Sequence, residues 1–478
     1  MANTGGISLG RVTVQLLLGR AIGYVLLLVN SVVLARALGV DRLGEYAYAM
    51  GVAALFGLVP NLGVTAVITR AIAHGDETGG GVVRTALLVQ RGVAVLVLAA
   101  IPTCAALLPE QPVPTAYVIL AAAQLALGSL SWPYLAVLSG RARFDLVAKN
   151  EVFGAGAATV CLLGAVTLRN DVPSVLAAQV LAAGVAVIIA RRAAVPLIPI
   201  GGERPSMRSV IRQAMPFGAA AAVQSLYAKL DLVLLGQMAG AAVVGLYSAA
   251  YKPVTLAVYF GGTLAGALFP LMARPFQHAP AAFSRTVRGL LAAAPAMALL
   301  LTGLAGPLLQ ALYGREFRAA APMIMVLAWS AAANWICAPF SVALQAGRRE
   351  HEWLAALVGA LGVNVVGNLW AIPRWGGLGA AAVTVTCELA LLGAALVLAG
   401  RTGKGLLLGA RQWMIGFGVT AAGAGTLWVL QPYGEILATS GALAVYAGLL
   451  VSSRSVTIED ASSVIGWVRQ AVSSEARA

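Results

Sequence analysis

The feature that most restricts this chain is a succession of fourteen largely apolar runs of about 18 residues or more. They span roughly 16–38, 44–70, 84–108, 114–138, 151–168, 173–190, 213–238, 245–272, 287–312, 319–346, 352–372, 376–399, 409–430 and 433–452. Each is long enough to cross a hydrocarbon core about 30 Å thick as a helix. In that core a backbone must satisfy its own hydrogen bonds, which leaves helices or closed barrels. The runs are too long for barrel strands and do not alternate. They predict an all-α integral membrane protein with about 14 transmembrane helices. A content of 60% hydrophobic and 10% charged residues agrees, with a mean hydropathy of +0.87; soluble domains of this length are far more polar.

An internal repeat orders these helices. Val233–Tyr251 lies on Val32–Met50 without a gap when shifted by 201 positions. Six of the nineteen positions are identical: Val32/Val233, Leu34/Leu235, Gly39/Gly240, Gly44/Gly245, Tyr46/Tyr247 and Ala49/Ala250. Each copy is an apolar helix end, a Gly-bounded turn, a G-x-Y and another apolar run. A weak repeat of this kind is how two-lobed transporters look in sequence. The expected plan is two six-helix lobes related by the repeat, 1–195 and 213–400, joined by a linker at 196–212. Two extra C-terminal helices (401–452) and a tail (453–478) follow.

A net charge of +14 could indicate nucleic acid, but the charges follow the loops. With the N-terminus inside, 24 of the 32 basic residues fall on the cytoplasmic side, including Arg141, Arg143, Arg191, Arg192, Arg348 and Arg349. Only Arg36, Arg42, Arg169, Arg315, Arg318 and Arg374 lie outward, and Lys229 and Lys252 lie within helices. Every second loop being basic is the positive-inside pattern. It predicts a multi-pass protein of the cytoplasmic membrane with both termini cytoplasmic, a lipid bilayer around it and no nucleic-acid partner.

The first run, with Arg11 and Arg20 before Ala35-Arg36-Ala37, has some look of a secretory signal. It is long for one, and its end is copied in mid-chain, so it is expected to stay as the first helix. Cys104, Cys161, Cys337 and Cys387 all lie in apolar runs and read as packing residues. In the tail, Ile458, Ala461, Ile465 and Val468 have helical spacing, which allows a short interfacial helix or a frayed end.

Catalytic patterns are missing. His74, His278 and His351 stand alone, without a second ligand at metal spacing. There is no phosphate-binding G-x-x-x-x-G-K-[ST] loop. No cofactor, metal or enzymatic activity is therefore expected. What remains is the set of ionisable residues inside helices, which are functional candidates by position. These are Lys229, Asp231, Lys252 and Glu388. Asp231 and Lys252 are each expected about 10 Å below the outer boundary, counted at 1.5 Å per residue, and could meet.

Each has two readings. Lys252 with Asp231 is either a ligand site or a structural ion pair. Lys229 either lines a cavity or snorkels. Glu388 is either a proton or cation site or a neutral, hydrogen-bonded carboxyl. Arg36 either faces the substrate path or snorkels to the outer interface. Asn30, Asn61, Asn334, Asn364 and Asn368 either line a cavity or bond helix to helix.

The run Leu230-Asp231-Leu232-Val233-Leu234-Leu235-Gly236, followed by Val244-Gly245-Leu246-Tyr247-Ser248-Ala249-Ala250-Tyr251-Lys252, carries a resemblance. It is similar to the seventh-to-eighth helix signature of the polysaccharide (O-antigen type) flippase family, within the multidrug/oligosaccharidyl-lipid/polysaccharide exporter superfamily. Leu34-Ala35-Arg36-Ala37-Leu38-Gly39 with Gly44-Glu45-Tyr46 resembles its first-to-second helix segment. The resemblance implies a transporter that turns a polyprenyl-pyrophosphate-linked oligosaccharide across the membrane by alternating access of two lobes. It implies an acid at Asp231 and a base at Lys252, and polysaccharide polymerase and glycosyltransferases as candidate partners of a monomer. Lipid II flippases of the superfamily carry an Arg-Asp pair in helix 1, where this chain reads Val29-Asn30-Ser31. The alternative function is a multidrug/cation antiporter of the same superfamily, supported by Glu388 and Asp231. Fixed cations are what a pyrophosphate needs in a low-dielectric passage, and Lys252 and Lys229 would supply them. Arg36 and Asn30 complete the expected substrate set, and Glu388 is the expected ion-coupling group.

Overall fold

The computed structural model describes residues 9–56, 63–74, 79–106, 112–266, 279–347, 349–401 and 408–453. Among them every regular element is helical. The helices are α1 (Leu9–Leu55), α2 (Val64–Ala73), α3 (Gly79–Ala106), α4 (Thr115–Ser129), α5 (Trp132–Gly140), α6 (Phe144–Leu168) and α7 (Val172–Ala194). There follow α8 (Met207–Ala239), α9 (Ala241–Gly266), α10 (Ala279–Gly303), α11 (Ala305–Tyr313), α12 (Ala321–Ala346), α13 (Glu350–Gly400), α14 (Ala410–Leu430) and α15 (Glu435–Ser452). The interfacial helix expected around Ile458, the side chain of Cys104, and Asn61 and His278 lie outside the described residues.

Among the described residues eleven helical stretches are long and apolar enough to span a membrane. Two of them are each two passes joined by one glycine. In α1 the break is Gly39 (φ 71°, ψ −178°) and in α13 it is Gly376 (φ 54°, ψ −130°). An L side chain is strained in either conformation, so one residue turns the chain where a loop would otherwise be needed. Helix α8, whose Gln224, Lys229 and Asp231 dilute its apolar character, supplies a further pass. Together these make fourteen among the described residues, and each of the fourteen apolar runs has helix in its described part.

Three runs are split within. Run 44–70 is interrupted at Gly63 (φ 76°), run 114–138 breaks between Ser129 and Trp132, and run 287–312 breaks at Leu304. The latter two breaks stand just before Pro133 and Pro307, which suit the first turn of a helix and not its interior.

By packing, the chain forms two compact units, one through Gly245 and the other from Leu246. In the first, α1 lies against α4, α6 and α8, and α7 against α4 and α6. Asp171 caps α7 by accepting from the Ser174 amide at 2.8 Å. The connection from α7 to α8 is held down: Thr85 Oγ1 donates to the Pro205 carbonyl (3.1 Å) and Arg141 Nε to that of Leu197 (3.3 Å). In the second unit α12 packs between α10 and α13. The α14–α15 pair docks on α10 through Leu299, Val419 and Tyr446, with the Tyr446 hydroxyl donating to the Ala292 carbonyl at 2.8 Å. The Thr439 side chain faces Gly303 and that of Leu299 faces Gly423, so small residues let the helices pack closely.

Candidate functional site

The repeat is visible as geometry. Gly240, between α8 and α9, holds φ 84° and ψ 169°, close to the values of Gly39 one repeat earlier. The two copies also meet. A Cβ on Gly44 would run into the Ala241 carbonyl, and one on Gly245 into the Val40 carbonyl. These pairs exchange under the 201-residue shift, so the crossing has a local two-fold character. Beside it Gly236 makes room for the Tyr48 ring, and the Gln237 amide donates to the Tyr48 hydroxyl. The shared G-x-Y was legible in the sequence; its role as a helix crossing was not.

The first unit also holds several of the candidate groups. Asp231 is 4% exposed, and its Oδ1 accepts from the Leu232 amide at 2.8 Å. Counted from the end of α8 at Ala239, it lies about 12 Å along the helix. Lys229, two residues before, is half-buried, and Arg36 is exposed near the end of the first pass. Asn30, the repeat equivalent of Asp231, has a buried Oδ1 without a hydrogen-bond partner. Gln90 Nε2 on α3 and Asn150 Oδ1 on α6 are in the same condition. Neither had been singled out in the sequence, where a lone amide among apolar residues gives little signal.

The second unit holds the other candidates. Glu388 is 9% exposed and accepts from the Asn334 side-chain amide (3.2 Å). The sequence offered this carboxyl no obvious partner, because Asn334 is 54 residues away on α12. One turn before Glu388, Thr384 meets the Tyr247 hydroxyl at 3.3 Å in a buried contact. Asn364 and Asn368 are buried and bonded to each other (3.2 Å), leaving the Asn368 Oδ1 unsatisfied. Asn364, Asn368, Thr384 and Glu388 thus give α13 a set of buried polar groups, with half-buried Asn334 on α12 bonded to the last of them. Lys252 is exposed. It stands eleven residues beyond Ala241, about 16 Å along α9, deeper than the 10 Å read from the sequence because α9 begins at Ala241 and not at Gly245.

What these groups can do chemically is bind charge. A carboxylate beside an amide donor can hold a proton or a cation, and an ammonium can offset phosphate charge. Among the described residues no three His, Cys, Asp or Glu side chains are placed to hold a metal ion. Among the described residues Cys161, Cys337 and Cys387 form no disulfide, and the Cys387 thiol donates to the Ala360 carbonyl at 3.6 Å.

Residues 9–276 match the family model described as polysaccharide biosynthesis protein. No curated protein sequence matches the chain significantly. Among solved structures, the chain is similar to the lipid II flippase MurJ in an inward closed conformation. The TM-score is 0.73 at 10% identity, over 92% of this chain and 99% of that one. It is also similar to an inward-facing multidrug resistance MATE family transporter of the MOP superfamily (TM-score 0.60, 17% identity, 79% of this chain and 95% of that one). A MOP superfamily transporter from Pyrococcus furiosus gives a TM-score of 0.58 at 17% identity over 83% and 96%. At such identities the likeness is one of fold. That fold is the one these transporters share.

Proposed function

The chain belongs to the polysaccharide biosynthesis protein family, and from that premise we propose that it flips a polyprenyl-pyrophosphate-linked oligosaccharide across the cytoplasmic membrane by alternating access. The observation that carries the reading is a lipid flippase's fold matched over nearly the whole of both chains. Lipid II itself is disfavoured as cargo, because Val29-Asn30-Ser31 lacks the charged pair expected of a lipid II flippase. In this reading the lobes are 1–195 and 213–400, and the crossing of Gly44 with Gly245 has to part when the outer side opens.

The chemistry follows from desolvation. A pyrophosphate entering a low-dielectric passage is costly to move unless fixed cations replace its water. Lys252 and Lys229 supply that charge, Asp231 holds the local balance, and Arg36 and Asn30 present donors near the first copy of the repeat. Glu388 takes up the coupling ion. The lipid tail stays in the bilayer, so the protein needs a polar path for the glycan alone.

The test is reconstitution. Proteoliposomes of the purified chain, loaded in one leaflet with a fluorescent polyprenyl-pyrophosphate oligosaccharide, should expose it to an external lectin faster than protein-free vesicles. Equal rates would refute the proposal. The second reading, a multidrug/cation antiporter, is favoured by the likeness to the MATE transporter and by buried Glu388. It forecasts cation-gradient-driven uptake of an organic cation such as ethidium by the same vesicles.

A further inference from the structure

Helix α13 carries two opposite faces in its first pass. Leu357, Asn364, Asn368 and Ala371 are buried, while Val358, Val363, Val366 and Leu369 are exposed at helical spacing. An exposed, wholly apolar stripe on a membrane helix faces lipid. The stripe ends in a different chemistry. Trp370 and Trp375 are 54% and 55% exposed, with their rings edge to face at 5.0 Å. The Arg374 guanidinium lies 4.7 Å above the Trp370 ring and donates one N–H to the Trp370 carbonyl. Arg374 is itself exposed, and a guanidinium has five N–H donors, so most of them stay open to a ligand.

Position along the membrane identifies that ligand. From Glu350 to Trp375 the helix rises about 39 Å, more than the roughly 30 Å of a hydrocarbon core. The end of the stripe therefore stands in the headgroup layer, where indole rings settle and cations find lipid phosphates. Stacking on Trp370 fixes the plane of the guanidinium, which reduces what is lost on binding.

We propose that Trp370, Arg374 and Trp375 form a binding site for the phosphate of an anionic phospholipid in the leaflet where α13 turns at Gly376. A glycan platform is less favoured, because these side chains continue the lipid-facing stripe and lie opposite the buried polar face of Asn364 and Asn368. The site does not depend on what the protein transports.

Native mass spectrometry of the full chain in detergent, titrated with phosphatidylglycerol, tests it. Arg374→Gln should weaken phosphatidylglycerol binding about fivefold, the increment one interfacial cation supplies. Arg374→Lys should lose less, and Trp370→Leu should lose part by freeing the guanidinium. Phosphatidylcholine should bind all four proteins alike, and a monodisperse elution profile confirms that each is folded. Equal phosphatidylglycerol affinity in wild type and Arg374→Gln would overturn the proposal. So would displacement of the lipid by millimolar inorganic phosphate, which marks a free-anion site, or by maltoheptaose, which marks a sugar platform.

Discussion

At the scale of single residues, function and architecture make opposite forecasts for Lys252 and Asp231. If Lys252 anchors the pyrophosphate, Lys252→Ala should abolish glycan export with normal protein in the membrane, and Lys252→Arg should keep some of it. If the two only balance each other's charge, removing Lys252 leaves the buried Asp231 charge unbalanced at a cost of about 3–5 kcal/mol, and the protein itself should be lost. The double variant Lys252→Met with Asp231→Leu separates the cases by immunoblot and export assay: we expect protein without export, and restored export would remove Lys252 from the mechanism. For Glu388, Glu388→Gln should slow export at unchanged protein level. Asn334→Leu should shift the pH dependence of transport, because it strips the carboxyl of its amide donor. Wild-type transport and pH profile in both would leave Glu388 a packing residue. Its candidacy was legible in the sequence as an acid in an apolar run. Its partner was not, because pairing Asn334 with Glu388 depends on how two helices are rotated against each other, and runs apolar on all sides leave that rotation open.

At the scale of elements, run length foretold the helices because a bilayer fixes how many apolar residues a pass needs. The internal breaks were harder, although Pro133 and Pro307 were signals for two of them. The turns proved tighter than expected: Gly39 and Gly240 each do alone what a short loop was expected to do. Gly39→Ala and Gly240→Ala should each cost about 1–3 kcal/mol through backbone strain, read as a lowered unfolding temperature in detergent. Gly44→Ala and Gly245→Ala act differently, since each would press a methyl on the same crossing. Once the first has pushed the helices apart, the second has less to disturb, so the double variant should be more stable than the sum of the single losses by at least ~0.5 kcal/mol. Additive losses would mean that the two glycines belong to separate contacts.

At the scale of the whole molecule, the distribution of charge fixes what composition leaves open. Twenty-four of 32 basic residues fall on one side if the passes alternate as the helices do, and a bilayer reads that excess as cytoplasmic. Both termini and the 196–212 connection should then be inside, and the α8–α9 turn outside. Impermeant maleimide labelling of single cysteines in a cysteine-free background can decide it, provided the probes do not strain the fold. Gly240 and Gly202 are the natural positions by depth, but both hold positive φ (84° and 87°), where a cysteine would distort the turn it reports on. Their exposed neighbours Ala242 and Glu203 avoid that difficulty. In sealed cells Ala242→Cys should be labelled at once, and Glu203→Cys only after the membrane is permeabilised. Labelling of Glu203→Cys in sealed cells would invert the orientation, placing Arg191, Arg192, Arg204 and Arg208 on the translocated face against the charge rule. The fold would survive that result, because fourteen passes close equally well either way up, but the cytoplasmic placing of both termini would not.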